Sequence, residues 1–451
     1  MGEKPLLLIH IIDMKLNYPP HPQSRFISGH YFDFYQDQLA FLTNSARDFG
    51  DVVYFRFFHI PIYLLSHPDL IEEVLANAEL RKSKGVRTPL QRQLFGNGLI
   101  ASEGDFWLKQ RRLLQQVFNQ QYLAKYTETV AETAEEFFSA WKDGEKRIIN
   151  DELIDLTLKI AAKTFFGIDD LKEKDTIREL IESLKIIYSA QNQVSWFTDN
   201  FLPTTNNRRF KKAIKAVDKL IAQIIEERRK NNHSNTDLLS VLLSITADNS
   251  DRQIRDEVIT FFVAAHETTA VALTWVWVLL AQNEEARQKI TAEIKGLNKA
   301  RLSFGDLSKL TFTSKVIKES LRLFPPNRSI AREVTKQFRI RGFKVSKGSQ
   351  IVMSQWVLHR DPRYFESPDK FIPERWTPEF EKALPKYAYF PFGLGNRTCT
   401  GKSFAVMEMT IVMAAIAQKI RFTLDSNEEV EPLPVILLRP KNKLSITVKT
   451  L

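Results

Sequence analysis

Residues 251–281 constrain the fold more than any other stretch, because they read as one helix that is largely apolar from Ile259 onward. Ser250 and Gln253 stand at capping-box spacing at its start. At 1.5 Å per residue such a helix is roughly 45 Å long, enough to cross a whole domain. Residues 259–281 could pass for a membrane span, but they contain His266 and Glu267. Ionisable groups are costly in hydrocarbon unless they face a polar cavity. The reading is therefore a buried core helix with a polar notch at Ala264-Ala265-His266-Glu267-Thr268-Thr269, inside a fold large enough to enclose it.

By length alone, 451 residues allow up to about three average domains. No Gly/Ser/Pro-rich linker, low-complexity tract or fixed-period repeat divides them. The softest stretch, 231–235, reads as a helix–helix loop, and 43% hydrophobic residues with 32 Phe supply a large core. Residues 51–65 (DVVYFRFFHIPIYLL) read as a β-hairpin broken at His59-Ile60-Pro61. From Pro68 through Phe324 the pattern is helix after helix. Alternation returns over 338–353 around Gly342 and Gly348, and 444–448 is a last strand. The expectation is one domain over 1–451, mainly α with small β-sheets, with 1–25 as an N-terminal extension.

Charge narrows the partners. Sixty-four Lys and Arg against 54 Asp and Glu give a net charge of +10. Basic runs do not exceed three residues, and Arg228-Arg229-Lys230 behind Glu226-Glu227 fits a solvated helix end, which speaks against nucleic-acid binding. An acidic protein partner suits the balance. Residues 6–12 (LLLIHII) are too short to span a bilayer and lack the basic flank and cleavage site of a signal peptide. A cytoplasmic protein is expected, with membrane association at most peripheral.

The chain has one cysteine, Cys399, within 392–401 (FGLGNRTCTG). It cannot form an intrachain disulfide, so it is idle packing, a nucleophile or a metal ligand. Its surroundings favour a ligand. Three glycines let the backbone approach something flat and bulky. Arg397 adds a positive charge two residues ahead, and the apolar-rich segment after Gly401 reads as a helix whose N-terminus would stabilise a thiolate. A small buried hydrophobe is the default fate of free cysteine, but the spacing is too specific for that.

This loop resembles the haem-binding loop of the cytochrome P450 family, F-x-x-G-x-R-x-C-x-G, with every fixed position present. The resemblance implies that Cys399 is the axial iron ligand of heme b (iron protoporphyrin IX), with Phe392 and Arg397 among the cofactor-binding residues. A thiolate in that position donates electron density that favours O–O cleavage. The notch is similar to the family's oxygen-binding motif, (A/G)-G-x-(D/E)-T-(T/S). By that likeness Thr268 is the catalytic hydroxyl beside the oxygen site and Glu267 the acid that relays protons. Ala265 departs from the usual Gly, and its methyl narrows the groove.

Other segments follow in family order between about residues 50 and 445. Trp107 and Arg111 match W-x-x-x-R, and Arg332 and Arg397 fall at further positions that bind haem propionates, which guanidinium groups pair bidentately. Glu319 and Arg322 lie at i,i+3 on one helical face, before the stop at Leu323-Phe324-Pro325-Pro326. Pro373-Glu374-Arg375-Trp376 resembles the family's P-E-R-F segment with Trp for Phe. Together they imply a Glu319–Arg322–Arg375 cluster, tolerable in a core only if every member is paired. His359 is read as a packing or propionate-side residue.

The same resemblance lines the substrate pocket with Ile100, Phe261, Phe262, Ala264, Ala265, Ser329, Ile330 and Leu437, under a lid around Ile187 and 192–203. Arg87 or Arg92 could anchor a carboxylate. The activity implied is monooxygenation of a hydrophobic substrate (fatty acid, terpenoid or steroid-like), using O2 and electrons from a separate ferredoxin or flavodoxin. The chain runs only about fifty residues past Cys399, so no fused reductase is expected. The partner would dock at Lys402, Lys109 and Arg112, and a monomer is expected. Two other readings stand beside this one. A P450-type isomerase or peroxygenase typically lacks the acid–alcohol pair. A non-catalytic haem-thiolate sensor would need neither the relay nor an apolar cavity.

Overall fold

The computed structural model describes residues 18–76, 80–82, 89–168, 205–231, 237–245, 251–426 and 429–451. The N-terminal run 6–12, Arg87, Ser250, residues 232–235 and the lid positions 187 and 192–203 lie outside them. The chain forms two compact units: residues 1–85, 327–370 and 379–398, and residues 86–326, 371–378 and 399–451.

In the first unit, alternating large apolar residues make a sheet buried on both faces. Strands Val52–Phe57 and Ile60–Leu65 pair antiparallel, with Val53 opposite Leu64 and Phe55 opposite Ile62. The turn is Phe58-His59, with Phe58 at φ 51°, so Ile60 and Pro61 belong to the second strand rather than to the break. Pro61 is tolerated there because parallel pairing to Gln350–Met353 starts only at Ile62. Ile330–Val334 and then Leu80–Lys82 complete the five-stranded order. Val53, Phe55, Ile62 and Leu64 pack with Leu42 and Val357 on one face. Val52, Tyr54, Tyr63 and Leu65 pack with Ile351, Met353, Phe390 and Leu394 on the other. The loop bearing Phe392 and Arg397 is thus anchored through Phe390 and Leu394.

The second unit is built around the long helix, Asp251–Gln282. It is buried almost continuously over 253–262 and again over 269–280. Helix Ile149–Phe166 lies along it, and the Thr157 hydroxyl sits 3.0 Å from the His266 carbonyl oxygen. Near its C-terminal end, Trp275 donates its indole N–H to the Leu438 carbonyl at 2.7 Å and stacks on Phe324 at 3.8 Å. Among the described residues it is the one helix long and apolar enough to cross a membrane, and 72% of that apolar window is buried in protein. Strands Lys146–Ile148, Ser445–Thr450 and Ile420–Leu424 form a small sheet. Leu80–Lys82 and Lys146–Ile148 interrupt the expected helical run, and three residues are too few to display a period of two.

Within the second unit the Glu319 side chain has no exposure and accepts five hydrogen bonds. Arg322, equally buried on the same helix Thr311–Leu323, donates Nε and Nη2 at 2.9 Å. Arg375 donates Nε at 3.0 Å, Ile372 its backbone N–H at 2.9 Å, and Trp376 its indole N–H at 2.9 Å. The Trp that replaces the expected Phe is therefore a donor to the carboxylate. Cutting one member of a buried charge cluster leaves the others unpaired.

Glu319→Ala is expected to cost about 3–5 kcal/mol and to leave little folded protein. Trp376→Phe, which removes one donor to a charged group, is expected to cost about 1.5–3 kcal/mol. Denaturant melts of both variants check this, and wild-type stability in either would show that the cluster does not bear on the fold.

Candidate active site

Cys399 precedes helix Lys402–Lys419, whose N-cap is Gly401. By surface area it is exposed, yet protein atoms crowd its remaining sides. Both hold for a thiol walled on one flank and open on the other, and the crowding governs its ionisation. Burial pushes the thiol above its ordinary range, against the Gly401 N–H and the charges of Arg111 and Lys402. The helix N-terminus alone therefore does not create the expected thiolate. A metal ion would, because a coordinating thiol is deprotonated outright. Arg111 lies with its guanidinium 5.5 Å from the Trp107 ring centroid, and burial pulls its pKa below the usual value while Cys399 opposes this. Trp107 is buried and Arg111 half-buried, so the two residues of the W-x-x-x-R match do come together with the cysteine.

The notch is real. In a helix otherwise enclosed, Ala264 is exposed and Ala265, Glu267 and Thr268 are half-buried. His266 is not part of it: the ring is buried and its Nδ1–H donates to the Phe262 carbonyl one turn back. Thr268 donates its hydroxyl to the Ala264 carbonyl at 2.7 Å, and Thr269 donates to that of Ala265 at 3.0 Å. Two successive back-bonds of this kind load two neighbouring carbonyls and tend to bend a helix. With its proton spent on Ala264, the Thr268 oxygen offers lone pairs as an acceptor.

In the first unit, Phe392 and Arg397 are half-buried on one loop, and Arg332 is buried on strand Ile330–Val334 with Nη1 3.0 Å from the Ala331 oxygen. Gly393 and Gly395 have φ of 79° and 60°, so left-handed backbone, more than crowding, is what requires glycine there. His359 is fully buried, and its Nε2 accepts the Phe390 N–H at 2.8 Å, which puts the ring proton on Nδ1. It is a packing residue that fixes the start of this loop.

Of the expected pocket residues in the second unit, Ile100, Ala264 and Ala265 have open surface, whereas Leu437 is buried. Phe261 and Phe262 are committed to core stacks, Phe261 on Phe118 at 6.0 Å and Phe262 on Phe166 at 4.2 Å. Ser329 and Ile330, in the first unit, are half-buried. The residues before Ile100 are pinned to the long helix: Asp256 accepts the Asn97 N–H at 2.8 Å and Glu257 the Leu99 N–H at 2.9 Å. Gly98 packs so closely that a Cβ would sit 2.2 Å from the Thr260 hydroxyl. Sequence reasoning missed this clamp, although two adjacent acids in an apolar helix were a visible signal. Arg92 lines a charged cleft of about 890 Å³ with Asp218, Arg229, Asp251, Arg255 and Asp256. That cleft meets the long helix about 18 Å along the axis from Thr268, so it is not where the notch chemistry would occur.

A haem fits this donor set on grounds internal to the chain. Among the described residues no three His, Cys, Asp or Glu side chains converge as a metal site. A single thiol with one open flank suits a metal whose remaining positions a macrocycle fills. The stacked Trp107 and Arg111 suit a carboxylate-bearing ring edge.

Comparison with known proteins agrees. A family model described as Cytochrome P450 matches residues 19–448. Cyclooctatin synthase of Streptomyces melanosporofaciens is 33% identical over 93% of this chain and 92% of its own. Cyclooctat-9-en-7-ol 5-monooxygenase of the same organism is 34% identical over 89% and 88%. The solved structure of a retinoic acid bound cyanobacterial CYP120A1 superposes with a TM-score of 0.85 at 25% identity, covering 97% of this chain and 100% of that one.

Glu257 gives a pH test of the clamp. Burial pushes its carboxyl up from the ordinary 4.5 to about 7, against the hydrogen bonds from Leu99 and Gln253. A raised folded-state pKa favours the protonated form, so this stability is fully present below the unfolded value and is lost as pH rises through about 7. The span corresponds to a loss of the order of 3 kcal/mol at most. Glu257→Gln should flatten that fall in melts of the haem-loaded protein between pH 5 and 8.5. A variant with the wild-type slope would show that Glu257 does not titrate there.

Proposed function

The chain belongs to the cytochrome P450 family, and from that premise we propose the roles of its residues and the class of its substrate. It is a haem-thiolate monooxygenase, an oxidoreductase that uses a hydrophobic substrate, O2 and electrons from a redox partner. The haem supplies the redox chemistry that activates O2 when bound. Cys399 would supply the thiolate ligand to its iron. Within the second unit, Trp107 and Arg111 would hold carboxylates of the porphyrin; Arg332, Phe392 and Arg397 keep the cofactor-binding roles that the motif resemblance gives them. Thr268 keeps its oxygen at the open turn as an acceptor, and Glu267, half-exposed beside it, passes protons from solvent to that hydroxyl.

The substrate is a terpenoid-like or other cyclic hydrocarbon skeleton, ahead of a fatty acid or steroid. Ile100, Ala264 and Ala265 offer no charge to a ligand, and one relative is named for oxygenating a cyclic alkenol. The electron donor is an acidic ferredoxin or flavodoxin. Lys109, Arg112 and Lys402 are exposed, and the Lys402 charge reaches Cys399. The protein acts as a monomeric, cytoplasmic haem domain.

One observation carries the monooxygenase mechanism: the long helix is open at the turn bearing Glu267 and Thr268 and enclosed on either side. A positioned proton donor contributes about 10²–10⁴-fold in rate. In Thr268→Ala, substrate binding and reduction should persist while product per reduced cofactor drops and hydrogen peroxide takes its place. A variant as tightly coupled as wild type would end the relay assignment.

A further inference from the structure

The long helix borders another cavity, away from its open turn. About 360 Å³ in volume, it lies among the C-terminal end of that helix, helix Glu284–Gly296, the end of helix Lys402–Lys419 and strand Ile420–Leu424, all in the second unit. Small-molecule sites span about 300–1,000 Å³, so the space is large enough for a ligand. Trp277, which lines it, stands nine residues beyond Thr268, about 14 Å along the axis. The mechanism above makes no use of it.

Its walls are mostly apolar, with Leu280, Ile290, Ala417, Ile420 and Phe422 beside the Trp277 indole. The indole packs on the Phe422 ring at 5.1 Å and is 5% exposed, yet its Nε1 has no hydrogen-bond partner in the described structure. Buried indoles ordinarily find an acceptor. Those of Trp275 and Trp376 do, at 2.7 and 2.9 Å. A donor left over on a residue that walls a cavity calls for an acceptor inside it.

Charge defines the rest of the ligand. Arg287, Lys295 and Arg421 border the cavity against one acidic side chain, Glu284. That carboxylate is shared, accepting from Arg287, from Arg421 at 3.3 Å and from Gln288 at 2.9 Å. A terminal carboxylate on Leu451, which also borders the space, would reduce the positive excess without cancelling it. Burial first, and the Arg421 charge second, pull the Arg287 guanidinium below its ordinary range. Two guanidinium groups sharing one carboxylate are a receptor for a second.

We propose that this cavity is a binding site for a small amphipathic carboxylate, whose apolar body packs on Ile290, Ile420 and Phe422 while its oxygens meet the Arg287–Arg421 pair and accept the Trp277 N–H. The site is separate from the notch, and the proposal does not depend on the relay reading of Glu267 and Thr268.

Decanoate is the probe, added to the haem-loaded, reduced and carbon-monoxide-bound protein, which is diamagnetic and suits NMR of the seven indole N–H groups. Trp277→Phe identifies the Trp277 signal by its loss; should that variant not fold, Phe422→Leu identifies it by its displacement. Decanoate should move the Trp277 signal downfield and saturably. A charge-assisted hydrogen bond is worth about tenfold or more in affinity. Read at this signal, 1-decanol, of equal length but uncharged, should therefore bind at least about tenfold more weakly, and decanoate should bind Arg421→Gln more weakly by the same factor. A Trp277 signal that decanoate leaves in place overturns the proposal, because the cavity then holds only solvent. Decanol binding as tightly as decanoate, or wild-type affinity in Arg421→Gln, overturns it too. Decanoate that moves the Soret band but not the Trp277 signal binds over the haem instead, and that result also overturns the proposal.

Discussion

A helix of 32 residues has to be buried without stranding its polar groups, and the second unit is organised around that requirement. Most buried polar side chains along its enclosed stretches find a partner close at hand, the Trp277 indole N–H being an exception. The Trp275 indole reaches the Leu438 carbonyl, and His266 and Thr274 bond back to carbonyls four residues earlier. Asp256 and Glu257 take the N–H groups of the preceding loop. Enclosure that complete makes the single open turn meaningful. Surface at Ala264 in the middle of a core helix is space that the fold leaves for something else.

The charged groups obey the same rule with different outcomes. Glu319 is surrounded by two guanidinium groups, an indole and a backbone amide, so its burial is compensated in full. Glu257 and Glu408 have no cation, and burial drives both toward the neutral acid. Cys399 falls between these cases. Arg111 and Lys402 favour its thiolate, but desolvation prevails, so the ligand becomes anionic when it coordinates metal.

What could be read from the sequence was chemistry that depends on fixed spacing. The Cys399 loop, the Glu267–Thr268 turn, the Glu319–Arg322 pair and the long helix were legible because backbone period or covalent order sets their geometry. Side-chain direction was not. Phe261 and Phe262 looked like pocket lining, but the aromatic rings of Phe118 and Phe166 claim them for the core. His266 sits inside the motif and points away from the notch. The indole N–H of Trp376 gains its meaning only when Glu319 is seen within reach, more than fifty residues away in sequence. The adjacent acids Asp256 and Glu257 signal the loop clamp without locating the partners Asn97 and Leu99, and strands of three residues carry too little periodicity to be seen.

The account stands on Cys399 as the ligand of a haem iron, and the absorption spectrum of the reduced, carbon-monoxide-bound protein tests that most directly. Thiolate ligation shifts the Soret band strongly to the red, so wild-type protein should show the shifted band. Cys399→His at equal haem content should show the ordinary one. A Soret band in the ordinary position in folded, haem-loaded wild-type protein would contradict the assignment and the mechanism built on it.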